Sequence, residues 1–161
     1  ADIMKVTLIM VGKTKEDYVN QGLDDYINRI KRYFPFEIKE LAGIKSSKKM
    51  SEEEVMQNEG KAILKSIKDN AFLVLLDEKG KEFSSEGFAR WLQNVMNQST
   101  QNLYFVIGGA YGFSAGVQNQ ADMKISLSRM TFSHQIIRLI FAEQLYRALT
   151  IIKGEPYHHG S

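Results

Sequence analysis

The chain is expected to form a single α/β domain: a mostly parallel sheet of five to six strands with helices on both faces. Three observations predict it. Short runs of Val, Ile and Leu alternate with segments of helical length and period along the whole sequence. The inner runs, Phe72 to Leu76 and Leu103 to Ile107, are apolar throughout, as strands covered on both sides require. Finally, 161 residues at 43% hydrophobic bury one full core, and no repeat, linker or low-complexity stretch divides them.

The elements follow in order. Lys5 to Val11 reads as a strand that stops at Gly12, and Thr14 with Asp17 three residues on resembles a capping box for a helix to about Tyr33. Pro35 breaks that helix, and Phe36 to Leu41 alternates apolar and polar residues as a strand does. Gly43 to Met50 is a basic, Ser-containing loop, after which Ser51 and Glu54 form a second capping box for a helix to about Lys68. The buried strand Phe72 to Leu76 is followed by a helix from Ser84 or Ser85 to about Asn97, and then by the strand Leu103 to Ile107. A brief fifth strand at Ile125 to Leu127 and a final helix from Ser133 to Ile152 complete the order.

Composition excludes several functions. With no cysteine there are no disulfides, thiolate metal sites or cysteine nucleophiles, and a reducing, cytoplasmic setting is the expectation. The apolar run Val6 to Val11 is far too short to span a membrane, so no membrane role is expected. Charge is nearly balanced, 21 basic against 19 acidic residues, so nucleic-acid contact has to come from a local patch. The domain is expected over residues 4–159, with 1–3 and 160–161 as additions at its ends.

The chemistry concentrates late in the chain. The segment FVIGGAYGF, Phe105 to Phe113, is a buried strand opening into a glycine turn where a backbone or flat ligand can approach closely. Its GGxxG spacing is not the GxGxxG that holds a pyrophosphate, which argues against a dinucleotide site of Rossmann or flavodoxin type. The last helix is apolar most of the way round, so one face is expected to meet another surface, a homodimer being the simplest; the alternative is a helix sunk between its own neighbours. On it Glu143 and Arg147, one turn apart, and Arg138 form a polar minority. His134 reads as a loop or capping residue, and Lys45, Lys48 and Lys49 as a solvated basic loop. His158 and His159 lack the spaced partners of a metal site, and no metal is expected.

Taken together, FVIGGAYGF, the segment LSRMTFSHQIIRLIFAEQLYRAL (Leu127 to Leu149), the ending GEPYHH, the opening MKVTLIMVGK and DEKGKEFSSEGFA (Asp77 to Ala89) closely resemble one bacterial family. This is the family of ribosomal large-subunit pseudouridine N3-methyltransferases of the SPOUT class, the RlmH family, and the resemblance runs from Met4 to His159. It implies an α/β domain whose C-terminal part is tied in a trefoil knot. It implies that the knot loops bind S-adenosylmethionine near a homodimer interface, here through Leu76, Gly108, Leu127, Ser128, Arg129, Met130, Thr131 and Phe132. It further implies methylation of N3 of a pseudouridine in the helix 69 loop of 23S rRNA, on the assembled ribosome and with no role for DNA. The resemblance implies Tyr157 and His158 as the catalytic groups, placed to reach the reacting base and to serve as a general base, with Glu143 and Arg147 orienting that tail or binding RNA. The competing readings are a SPOUT-type RNA-binding module that no longer transfers methyl, and a methyltransferase acting on another RNA.

Overall fold

The computed structural model describes residues 3–42 and 50–160. Its element order is β1 (Lys5–Val11), α1 (Asp17–Ile30), β2 (Phe36–Leu41), α2 (Glu52–Lys65), β3 (Ala71–Glu82), α3 (Ser85–Asn97), β4 (Asn102–Ile107), α4 (Ala115–Gln120), β5 (Met123–Ser126) and α5 (Ile136–Lys153). The five strands form one parallel sheet in the order β2-β1-β4-β3-β5. The basic loop expected from Gly43 lies outside the described residues except for Met50.

Strand alternation divides the core in two. Val6, Leu8 and Met10 of β1 face α1, α3 and α5, whereas Ile9 and Val11 join Ile63 of α2 and Val117 of α4 on the other side. Both faces are therefore covered, which is why β4 is apolar from Leu103 to Ile107 and β1 from Val6 to Val11 is broken only by Thr7. Aromatic rings fill the three-helix side, with Phe105 of β4 and Phe141 of α5 4.7 Å apart between ring centres. Helix α5 packs against α1 and α3, so much of its apolar surface is satisfied within the chain. Ile136 and Ile140 remain half-buried outside that core.

The helix caps show where local chemistry decided the boundaries. Ser51 accepts from the Glu54 amide at 3.1 Å and Ser84 from the Gly87 amide at 3.0 Å, each worth about 1 kcal/mol. Thr14 does not cap α1, however; that position falls to Glu16, which makes no side-chain cap bond. The Thr14 hydroxyl is instead taken by Arg138, whose Nη1 donates to it at 2.7 Å. Helix α4 was not expected; at six residues, capped by Ser114, it is too short to show helical periodicity in sequence.

Strand β3 is longer than its apolar run because it leaves the sheet and rejoins it. Leu76 and Lys81 both sit in register with Ile125, so residues 77–80 form an excursion at the carboxyl end of the buried part of the strand. Gly80 closes that excursion against β5. A Cβ there would stand 2.6 Å from the Ile125 nitrogen and the Lys124 carbonyl carbon, both backbone atoms unable to rotate away.

Candidate functional site

The excursion, the glycine turn after β4 and the segment after β5 converge on one cleft of about 390 Å3. It lies at the carboxyl ends of parallel strands, where open α/β sheets place their ligands. Leu76, Ile107, Leu127, Phe132 and Ile137 supply apolar walls, and Gly108, Gly109, Ala110, Ser128 and Thr131 supply backbone and hydroxyl groups. The excursion adds Asp77, Glu78 and Lys79 at one side. Of the residues expected at a cofactor site, Leu76, Gly108, Leu127, Ser128, Met130, Thr131 and Phe132 all line this cleft. Arg129 does not; its Nε pairs with Glu82 Oε1 at 3.2 Å on the exposed side of the loop. His134, expected to be structural, also lines the cleft, and its carbonyl accepts from Arg138 Nε at 3.0 Å.

The shape of the cleft is held from behind. The Gly112 amide donates to the Gly109 carbonyl at 3.2 Å and closes the turn, while Phe113 packs beneath Gly108. Glu59 of α2 is buried with Oε1 unpartnered among the described residues, and both carboxyl oxygens would lie 2.6 Å from a Cβ at Gly109. Burial pushes this carboxyl above the usual range, which favours its neutral form. Arg138, 2% exposed, donates to the Val11 carbonyl at 2.9 Å as well as to Thr14 and His134, tying the start of α5 to the end of β1. Desolvation lowers its pKa, opposed by the nearby Glu40 carboxylate.

The other four expected residues form a separate cluster on α5 and the tail. Arg147 Nε donates to Glu143 at 3.1 and 3.2 Å, Arg147 Nη1 lies 3.0 Å from His158 Nδ1, and the Arg147 guanidinium sits 4.8 Å from the centre of the Tyr157 ring. Because a guanidinium only donates, His158 Nδ1 is the acceptor, so the ring proton belongs on Nε2, which faces Glu86 Oε1 at 4.0 Å. The Tyr157 hydroxyl lies 3.3 Å from that of Tyr26, and burial is the main cause of a strongly raised phenol pKa. In this arrangement the Tyr157 phenol stays protonated, His158 turns Nε2 away from Arg147, and Arg147 touches both residues. None of the four lines the cleft.

Sequence reasoning missed Gly80, Glu59 and Arg138 as parts of this framework. A glycine inside a strand pattern was the available signal for the first. For Arg138 it was a charge on an otherwise apolar helix, and for Glu59 the signal is three-dimensional only.

Residues 4–158 match the family described as "Predicted SPOUT methyltransferase". Among curated proteins, the chain is 51% identical over 156 residues to the ribosomal RNA large subunit methyltransferase H of Parabacteroides distasonis, spanning 97% of this chain and 99% of that protein. Proteins of the same name from Bacteroides thetaiotaomicron and Christiangramia forsetii are 48% and 47% identical over the same shares.

Proposed function

We propose, for a chain that belongs to the SPOUT methyltransferase family, that its methyl acceptor is N3 of a pseudouridine in the helix 69 loop of 23S rRNA on the assembled ribosome, and its methyl donor S-adenosylmethionine. The observation that carries this reading is the cleft: seven of the eight expected cofactor residues line one cavity built of apolar walls and exposed backbone. Such a lining suits a nucleoside with a flat, uncharged ring. Leu76, Leu127 and Ile137 would wall the adenine, and backbone groups around Gly108 and Thr131 would meet its polar edge. When bound, S-adenosylmethionine supplies an electrophilic methyl group on a sulfonium. The trefoil knot belongs to the same reading, supported by the family and by the way β5 runs beside both halves of β3.

The residues' own contribution is positioning. In the arrangement described, Tyr157 and His158 Nε2 are donors, suited to hold the carbonyl oxygens that flank N3, while the imino proton leaves to solvent. The rate is then expected to rise from neutral towards alkaline pH, as the imino group of the target base titrates. Since cleft and tail lie apart within one chain, the complete site is composed by two subunits of a homodimer, the tail of one reaching the cleft of the other. The half-buried isoleucines of α5, on the helix that carries Glu143 and Arg147, support that interface.

The test is transfer of labelled methyl from S-adenosylmethionine to ribosomes lacking the modification, with free 23S RNA and separated subunits in parallel. Incorporation only into assembled ribosomes, mapped to N3 in helix 69, is the expected result. Cofactor binding without incorporation would redirect the search to another RNA, and no cofactor binding would leave the RNA-binding module as the better reading.

A further inference from the structure

We infer that the groove between the carboxyl ends of α1 and α5 seats the phosphodiester backbone of the RNA strand carrying the target base, an inference resting on the function proposed above. The groove, about 370 Å3, is lined by Arg29, Arg32, Tyr33, Tyr146, Lys153 and Glu155. Three cations and one carboxylate thus line the groove, with Asp25 pairing Arg29 from outside it, in a chain whose overall net charge is only +2. That one carboxylate is already engaged, since the Tyr33 hydroxyl donates to Glu155 Oε2 at 2.7 Å.

The cations differ in a way that suits a polyanion. The guanidinium of Arg29 lies 5.5 Å from the Tyr26 ring centre and 5.4 Å from that of Tyr146, with Nε held by Asp25 Oδ1 at 3.1 Å. A guanidinium fixed by two rings loses little further freedom when its remaining N–H groups meet a phosphate. Arg32 and Lys153 are exposed, and among the described residues neither has a carboxylate within 4.0 Å. Arg29 and Lys153 sit in the last turns of their helices and complement the helix dipoles there. Arg32 lies beyond the end of α1 and is left without that explanation.

Position gives the groove its meaning. Tyr146 packs against Tyr157 with 4.7 Å between ring centres, and Tyr26 meets the Tyr157 hydroxyl, so the basic groove runs directly into the tail. Cations beside half-buried aromatic rings are the combination that tracks a single strand through phosphates and bases. A strand held there would deliver the next nucleotide to Tyr157 and His158.

The experiment uses the full chain with Arg32→Ala, Lys153→Ala, the double variant and Arg32→Lys. Binding to ribosomes lacking the modification is measured from 50 to 200 mM salt, alongside KM, kcat, S-adenosylmethionine affinity and sedimentation. Each removed cation is expected to lower the log–log salt slope by about 0.7 to 0.9, and the double variant to raise KM about ten-fold at 0.1 M salt. The cofactor affinity, kcat and oligomeric state are expected to stay as they were, with Arg32→Lys restoring the slope. An unchanged slope and KM in the double variant would overturn the inference, as would a fall in kcat or a change in oligomeric state. Displacement from the ribosome by polyglutamate but not by a single-stranded oligoribonucleotide would assign the groove to an acidic protein instead. If the unaltered protein neither binds ribosomes nor methylates them, the proposed function fails and the groove with it; if it does both and the double variant matches it, the groove alone fails.

Discussion

The cleft and the tail cluster hold their residues by opposite means. The cleft is shaped by backbone: a glycine turn, an excursion of β3 and the segment after β5, each anchored to a buried strand. The tail cluster is joined through side chains, with Arg147 gripping Glu143, His158 and Tyr157 at once. A backbone-built site is rigid and fails when the fold fails. A site centred on one guanidinium can lose its function while the fold stands. The two regions should therefore respond differently to substitution.

The largest effect is expected for Gly80→Ala. The new Cβ meets the backbone of Lys124 and Ile125, so β5 must shift, and the protein should lose about 3 kcal/mol in urea unfolding together with cofactor binding. Arg138→Met comes next: the Val11 and His134 carbonyls and the Thr14 hydroxyl lose their donor, for a loss of about 2 to 3 kcal/mol in the same assay. If either variant were as stable as the parent, the rigid framework behind the cleft would be wrongly drawn.

Arg147→Ala sharpens the contrast from the other side. Stability should fall by less than about 1 kcal/mol, because this is a partly exposed pair, whereas kcat for methyl transfer should drop about 100-fold with cofactor affinity unchanged. Weakened cofactor binding in a folded Arg147→Ala protein would show that the two halves are not separate.

The smallest effect belongs to Glu59→Gln. The buried carboxyl has a raised pKa, so its contribution to stability is present below the ordinary carboxylate value and is lost as pH rises through the folded-state value. Glutamine mimics the neutral form, so the variant should be slightly more stable at neutral pH, with the gain vanishing in acid. A gain that persisted in acid would point to packing instead of charge.

The same contrast explains what could be read in advance. The sheet, the cap at Ser51 and the glycine turn were legible because each depends on neighbours within a few residues: apolar runs, Ser-x-x-Glu, paired glycines. The convergence of Leu76, Gly108 and Leu127 to Phe132 came from resemblance, and the cleft they share needed the sheet order to appear. Thr14 misled because its hydroxyl answers a residue 124 positions away instead of the helix it precedes. Glu59 and the groove at Arg32 leave no local trace at all, since a charged residue on a polar helix face reads the same whether it is solvated, buried or bound.

The composite site is tested most directly by complementation. One chain carries Leu127→Glu, which puts a charge into the cleft; the other ends at Gly154 and lacks the tail. Each alone should be folded, dimeric and inactive in methyl transfer. Mixed as equal parts and allowed to exchange subunits, half the dimers are hybrids with one intact pairing of cleft and tail, and activity should return to about a quarter of the parent's. No recovery, with hybrids confirmed by mass, would contradict a site shared between subunits.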